Sequence, residues 1–108
     1  MGKTRKIDIG TFTGVAKLGA GINISVDIKG KLSDYAKLTA DNFCPLLNTI
    51  TANDPYKQGA TYSVTNVKVA YTPSTGIVTI TSGWSNSDTS GSAYENIKVD
   101  GTLYCFTV

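Results

Sequence analysis

The chain has 108 residues and a net charge of +2, with charged residues making up only 17% of the sequence. This length suits one core, so we expect residues 1–108 to form a single domain. The chain has no histidine, which removes the commonest general base and the commonest metal ligand. Its positive charge forms no basic stripe, and that distribution argues against a nucleic-acid partner.

The residue types favour strands, because Val, Ile and Thr account for 32 of the 108 residues. No apolar stretch approaches the length of a membrane span. The N-terminus also lacks the apolar region of a secretory signal, so either the chain stays in the cytosol until assembly or a signal has been trimmed. We interpret residues 1–5 as a flexible tail, in which Lys3 and Arg5 begin a short solubilising basic run that Lys6 completes.

The first strand is irregular and is indicated by Ile7 and Ile9 together with Phe12 or Val15. The glycine-rich stretch that follows, Gly14–Gly21, is typical of a loop.

The second strand alternates apolar and polar residues without interruption from Ile22 to Lys29, which is typical of a half-buried strand, and it is predicted to end at Gly30. Further along, Thr39 is a good helix N-cap. Because Pro45 disfavours a long helix, we expect one helical turn at Ala40–Phe43 and then an extended segment through Thr51. A two-turn helix ending at Leu47 is the alternative.

A hairpin is predicted around the loop Pro73–Gly76, in which proline and glycine supply turn geometry. Its register puts the large apolar residues on one face, and the predicted partners are Tyr71 with Val78, Val69 with Ile80 and Val67 with Ser82. Val64 is out of phase with this set, so we expect a bulge near Thr65 and Asn66.

A second hairpin is predicted at Asp100-Gly101, a pair favoured in type I′ turns. Its register gives an inward-facing set, which comprises Ile97, Val99, Tyr104, Phe106 and Val108. Before it, Ser82–Ser92 is rich in Ser, Asn and Gly and is predicted to be an exposed loop that carries Trp84.

These elements predict an all-β fold, an antiparallel sandwich or small barrel of six to eight strands with one short helical turn. Cys44 and Cys105 could form one bridge, but without a secretory signal we expect reduced thiols. Cys105 falls within a strand pattern, where a free cysteine usually behaves as a small buried hydrophobe.

No motif for catalysis or for a cofactor is complete. Gly14-x4-Gly19 lacks the lysine that a phosphate-binding loop requires. The series Asn86-x-Asp88-x-Ser90-Gly91 begins like a calcium loop but has Ile97 where the bidentate glutamate belongs. The acidic residues form no pair that spacing can place on rigid elements. We therefore expect neither an enzyme nor a bound metal or cofactor.

Three aromatic residues remain as candidates for a contact with a partner or a glycan, because they fall in or beside predicted loops: Trp84, Tyr94 and Tyr56. The simpler interpretation of Trp84 is that it caps one end of the sandwich.

Two segments, Ser33–Phe43 and Val69–Ile80, resemble small β-rich proteins encoded among the virion genes of tailed bacteriophages and prophages. The resemblance implies a non-enzymatic structural or accessory protein of the tail, baseplate or head surface. Its partners would be further copies of itself or other virion proteins, and low charge suits a sandwich whose edges pair with neighbours. The alternative is a small carbohydrate-binding or adhesion module that uses the loop aromatics on a cell-surface glycan.

Overall fold

The computed structural model describes residues 4–17, 21–53, 62–86 and 96–107. These residues form six strands and two single 3₁₀ turns. In chain order they are β1 (Arg5–Lys17), β2 (Ile22–Asp27), the turns Tyr35–Lys37 and Ala40–Asn42, β3 (Phe43–Asn53), β4 (Tyr62–Thr72), β5 (Ile77–Asn86) and β6 (Asn96–Thr107).

The strands form two antiparallel sheets that pack face to face. Sheet A has the strand order β1-β6-β3, and sheet B has the order β2-β5-β4. The all-β antiparallel fold with short helical turns is thus confirmed, as a sandwich. Among the described strands, only β4 and β5 are consecutive in the chain and also adjacent in a sheet.

The core lies between the two central strands, β5 and β6. Val78 and Ile80 of β5 and Ile97 and Leu103 of β6 are at most 2% exposed. Burial of these apolar side chains is the main force that holds the two sheets together. Alternation along β2 is also as predicted, because Ile22 and Ile24 are buried and Val26 is half-buried, whereas the residues that alternate with them are exposed.

The first predicted hairpin is confirmed in its turn and in most of its register. Tyr71 pairs with Val78 and Val69 with Ile80, and Gly76 has a φ of +72° in the turn. The predicted bulge is also present, because the register shifts between Thr65 and Lys68 and Asn66 has a φ of +54°. Val67 falls in this bulge and is 41% exposed, so its predicted pairing with Ser82 on the buried face is wrong.

The second predicted hairpin is wrong. Asp100 and Gly101 lie in the middle of β6, the central strand of sheet A, and neither has the positive φ that a type I′ turn requires. Successive side chains from position 97 to position 105 lie on alternate faces of the sheet, one buried and the next exposed or half-buried. The buried residues are therefore Ile97, Val99, Gly101, Leu103 and Cys105.

Glycine at position 101 allows close packing rather than a turn. A Cβ atom there would lie 2.5 Å from the Leu46 carbonyl oxygen and would overlap the Phe12 ring. Tyr104 and Phe106, predicted to face inward, consequently lie on the opposite face, and Phe106 is 37% exposed.

Two predicted loops are partly strands. Strand β1 continues through Gly14 to Lys17. Glycine at position 14 lets β2 pack closely against β1, because a Cβ atom there would lie 2.5 Å from the Ile24 side chain. Strand β5 continues to Asn86 and includes Trp84. Arg5, assigned to the tail, is the first residue of β1, whereas residues 18–20 and 87–92 lie outside the described residues.

The segment before β3 contains the predicted single turn rather than the two-turn helix. The Thr39 backbone N–H donates to Asn42 Oδ1 (2.9 Å), and β3 begins at the next residue, Phe43. Pro45 lies in β3, which is an edge strand and tolerates a missing backbone donor. The turn at Tyr35–Lys37 was not predicted.

The two segments that carry the family resemblance pack against each other. The ring centroids of Phe43 and Tyr71 are 4.8 Å apart, and the Tyr71 hydroxyl donates to the Tyr35 carbonyl (2.5 Å). This contact joins the turn region before β3 to the β4–β5 hairpin.

The edge strands carry features that discourage pairing with another chain. Bulges interrupt β1 at Ile9, β3 at Asn48 and β4 at Asn66, and β2 is only six residues long. The Lys31 ammonium also donates to the Ile9 carbonyl (2.5 Å) at the β1 bulge. Bulges, short strands and lysines are the usual means by which sheet proteins prevent edge-to-edge association.

Candidate functional site

Among the described residues, the outward face of sheet A, which we call the outer face, carries most of the exposed large hydrophobic side chains. Its residues come from all three strands and lie in register across them. All of them are exposed or half-buried. They are Lys6, Asp8, Thr11, Thr13 and Val15 of β1, Lys98, Asp100, Thr102, Tyr104 and Phe106 of β6, and Cys44, Leu46, Thr49 and Thr51 of β3.

One half of the outer face is apolar and aromatic. Leu46 is 52% exposed and pairs with Thr102, and the next outward positions along β6 are Tyr104 and then Phe106, which is 37% exposed. The Lys6 ammonium sits 5.1 Å from the Tyr104 ring centroid, a cation–π contact. Exposed aromatic side chains next to an aliphatic one are characteristic of protein contact surfaces.

The other half of the outer face is mainly polar and centred on Asp100, with Val15, 62% exposed, opposite Lys98 at its end. The hydroxyls of Thr13 on β1 and Thr49 on β3 both donate to its carboxylate, the second at 3.2 Å. These bonds link all three strands of the sheet. The Thr13 hydrogen bond, supported by that of Thr49 and by the charge of Lys98, outweighs desolvation and lowers the pKa of Asp100 below 3.8.

We expect Asp100→Asn to reduce the steepness with which the free energy of unfolding falls as the pH is lowered from 5 to 2. A carboxyl whose pKa is lower in the folded chain stabilises the fold above pH 3.8, and this contribution is lost as the pH falls through the folded-state pKa. Urea denaturation between pH 5 and pH 2 measures the slope. Asp41→Asn, at an exposed position, is the control and should retain the wild-type slope; equal slopes for both variants would contradict the assignment.

The exposed face of sheet B differs in character. Its side chains include Asn23, Ser25, Lys68 and Thr81, with no exposed large hydrophobic residue among those described except Val67 at the bulge. A shallow cleft of about 410 Å³ lies there beside Asn66. This face is therefore a weaker candidate for burial against a partner.

A second cleft, of about 510 Å³, lies where the first residues of β1 meet the 3₁₀ turns. Leu38 is the buried residue in its lining, while Arg5, Asp34 and Lys37 lie at its polar side. The side chains bring two cations and one carboxylate to the same opening. This mixture fits solvent-exposed polar contacts and sets up no acid–base pair.

Of the three aromatic residues singled out from the sequence, the structure places one. Trp84 lies in β5 opposite Val64, is half-buried and packs against the core, so the predicted exposed loop is wrong at this position. Tyr56 and Tyr94 lie outside the described residues. The structure therefore does not bring the three together.

We expect Trp84→Ala to lower the free energy of unfolding by about 2 kcal/mol, roughly half the loss typical of a fully buried tryptophan. Trp84→Phe, which keeps an aromatic ring, should lose less. Because Trp84 is the only tryptophan, unfolding is followed by circular dichroism. A Trp84→Ala variant with unchanged stability that no longer binds a glycan would favour the alternative function instead.

The two cysteines are free thiols on opposite faces of sheet A. Cys44 is exposed on the outer face, whereas Cys105 is buried, and burial raises the pKa of its thiol. The expectation that Cys105 behaves as a small core residue is confirmed.

The outer face was not predicted, because the predicted hairpin reversed the faces of the second half of β6. The sequence does contain the pattern that indicates one continuous strand. Apolar residues occupy every second position on both sides of Gly101, at Ile97, Val99, Leu103 and Cys105. That pattern leaves Tyr104 and Phe106 on the other side.

Within the described part of the chain, no group of three or more metal-ligating side chains is found. The described helical segments are single turns, and none is long and apolar enough to cross a membrane. The fold is an all-β antiparallel sandwich, and the outer face carries three of the five exposed large hydrophobic residues among those described, Val15, Leu46 and Phe106. Comparisons with protein-family models, curated proteins and solved structures give no significant match.

Proposed function

We propose that the chain is a non-enzymatic structural or accessory component of a phage or prophage virion that works through protein–protein contacts. It would reside in the tail, the baseplate or the head surface, and in the bacterial cytoplasm before assembly. The observation that carries the proposal is the outer face, where the half-buried Tyr104 is flanked along the strand direction by the exposed Leu46 of β3 and Phe106 of β6.

The outer face supports a contact role because its aromatic half is rigidly held. Tyr104 and Phe106 belong to the central strand of sheet A, which pairs on both sides. The Asn42 side chain donates to the Phe106 carbonyl (2.8 Å) and so joins the 3₁₀ turn to β6. A preorganised surface loses little conformational entropy on binding, which favours a partner contact.

The strand edges are poorly suited to a contact, which favours the outer face as its location. Composition alone favours pairing through edges, but the bulges at Ile9, Asn48 and Asn66 and the Lys31 contact work against that mode. We therefore place the proposed contact on a sheet face.

The virion assignment is supported by the resemblance of Ser33–Phe43 and Val69–Ile80 to small β-rich virion proteins. These two segments form one packed unit through Phe43 and Tyr71. The resemblance therefore concerns a connected part of the fold.

The test is whether the chain travels with virus particles. Particles are purified on a density gradient from phage stocks or induced cultures that carry the gene, and fractions are probed with an antibody to the purified chain. We expect the chain in the particle band and its absence from particles made after deletion of the gene. A chain that stays with the soluble host proteins in every fraction would overturn the proposal.

The same particle preparation tests whether the outer face makes the contact with the virion. A gene carrying Leu46→Asp should give fewer copies per particle, whereas Lys68→Glu on sheet B should give the wild-type number. Equal incorporation of both variants would place the contact elsewhere on the molecule.

A further inference from the structure

We propose that the outer face binds the outer face of a second copy of this chain, in a two-fold arrangement centred on Thr102 and Leu46. This inference rests on the proposed function in taking the same face as the contact surface, and it names the partner. The argument comes from the order of side chains along β6.

Along β6 the outward side chains are Lys98, Asp100, Thr102, Tyr104 and Phe106, spaced about 7 Å apart. Consider a two-fold axis that lies between the two outer faces and runs perpendicular to the strands at Thr102. It brings position 98 of one copy opposite position 106 of the other. It also brings position 100 opposite position 104. The strand is thus complementary to itself in the antiparallel direction.

Each of these opposed pairs is favourable. The Lys98 ammonium would face the Phe106 ring of the other copy, which allows a cation–π contact. The Tyr104 hydroxyl could donate to the Asp100 carboxylate, and such charge-assisted bonds are strong. That carboxylate offers about four acceptor sites, of which Thr13 and Thr49 occupy two.

The neighbouring strand supplies the apolar centre. Leu46 pairs with Thr102, so the same axis places the Leu46 side chains of the two copies against each other. A parallel arrangement would instead oppose Lys98 to Lys98 and Asp100 to Asp100, and like charges repel. The order of charges therefore selects the antiparallel dimer.

The face is small for a protein–protein interface. Three strands about 4.8 Å apart and about 40 Å long give a face of about 550 Å². Stable complexes usually bury about 800 Å² on each partner. We therefore expect a reversible dimer that forms at high concentration and gains strength where many copies are held close together, as on a particle.

The experiment is sedimentation equilibrium of the full chain between 5 and 500 μM. We expect a monomer–dimer equilibrium that Leu46→Asp and Lys98→Glu each weaken about tenfold or more, which corresponds to about 1.4 kcal/mol. Lys68→Glu makes the same charge change on an exposed residue of sheet B and should leave the dissociation constant unchanged. Circular dichroism checks that each variant folds.

A second measurement reports the register. In a Cys44→Ser background, Thr102→Cys should be cross-linked to its own copy by a short bifunctional maleimide, whereas Thr79→Cys on sheet B should not. A chain that is monomeric throughout, or a dimer that ignores both Leu46→Asp and Lys98→Glu, overturns the inference. Particle association is measured separately, so the proposed function can stand if the dimer is absent and can fail if it is present.

Discussion

The substitution Gly101→Ala should destabilise the fold by about 3 kcal/mol, at the upper end of the usual cost of overpacking. The added Cβ atom would lie 2.5 Å from the Leu46 carbonyl oxygen and would overlap the Phe12 ring. A side chain can rotate away, but the carbonyl belongs to β3, which pairs with β6 along its whole length. Relief therefore requires the two strands to separate.

Urea denaturation of Gly101→Ala measures this loss, and Gly30→Ala is its control. A Cβ atom at Gly30 meets nothing within 4 Å, and its φ is not positive. That variant should have nearly wild-type stability or gain a few tenths of a kcal/mol, because alanine restricts the unfolded chain.

The double variant Phe12→Leu/Gly101→Ala separates the two overlaps. It removes the aromatic ring from above position 101 and leaves the Leu46 carbonyl in place, so it should recover only part of the stability. Full stability in Gly101→Ala itself would mean that β6 is not continuous through this position.

The outcome at Asp100-Gly101 shows where sequence patterns are sufficient and where they are not. The turn at Pro73–Gly76 was predicted correctly because the strands it joins are neighbours in the chain, so turn residues and register agree locally. The pairing of β6 with β1 and β3 joins residues far apart in the chain. Nothing near residue 101 in the sequence indicates that Phe12 lies over it.

The same reason explains the other errors. Gly14 is typical of a loop by composition, but it lies in β1 because Ile22 and Ile24 of the opposing sheet approach its backbone. Trp84 lies in a tract of loop-like residues and is nevertheless part of β5. In each position a tertiary contact outweighs the local preference.

The candidate site was predictable only in part. The exposed residues of the outer face follow from alternation once β6 is taken as one strand, and then Tyr104 and Phe106 become surface residues. Leu46 could not be assigned to a face in advance, because the bulge at Asn48 changes the phase of β3.

Two leucines of sheet A, Leu103 and Leu46, give opposite predictions for the same chemical change. Leu103 is fully buried at the centre of β6, whereas Leu46 is 52% exposed on the neighbouring strand. Leu103→Ala should lower the free energy of unfolding by about 3 kcal/mol, since it removes buried methyl groups and leaves a cavity. Leu46→Ala should change it by less than about 0.5 kcal/mol, as surface substitutions usually do.

Thermal and urea unfolding of both variants at low protein concentration measure this difference, because dilution removes any contribution from association. The contrast also separates folding from function. A Leu46→Ala chain that is as stable as the wild type but dimerises more weakly shows that this leucine is buried between molecules and not within its own chain. Comparable losses of stability at both positions would mean that Leu46 is covered by its own chain, and the outer face would then be unavailable to a second copy.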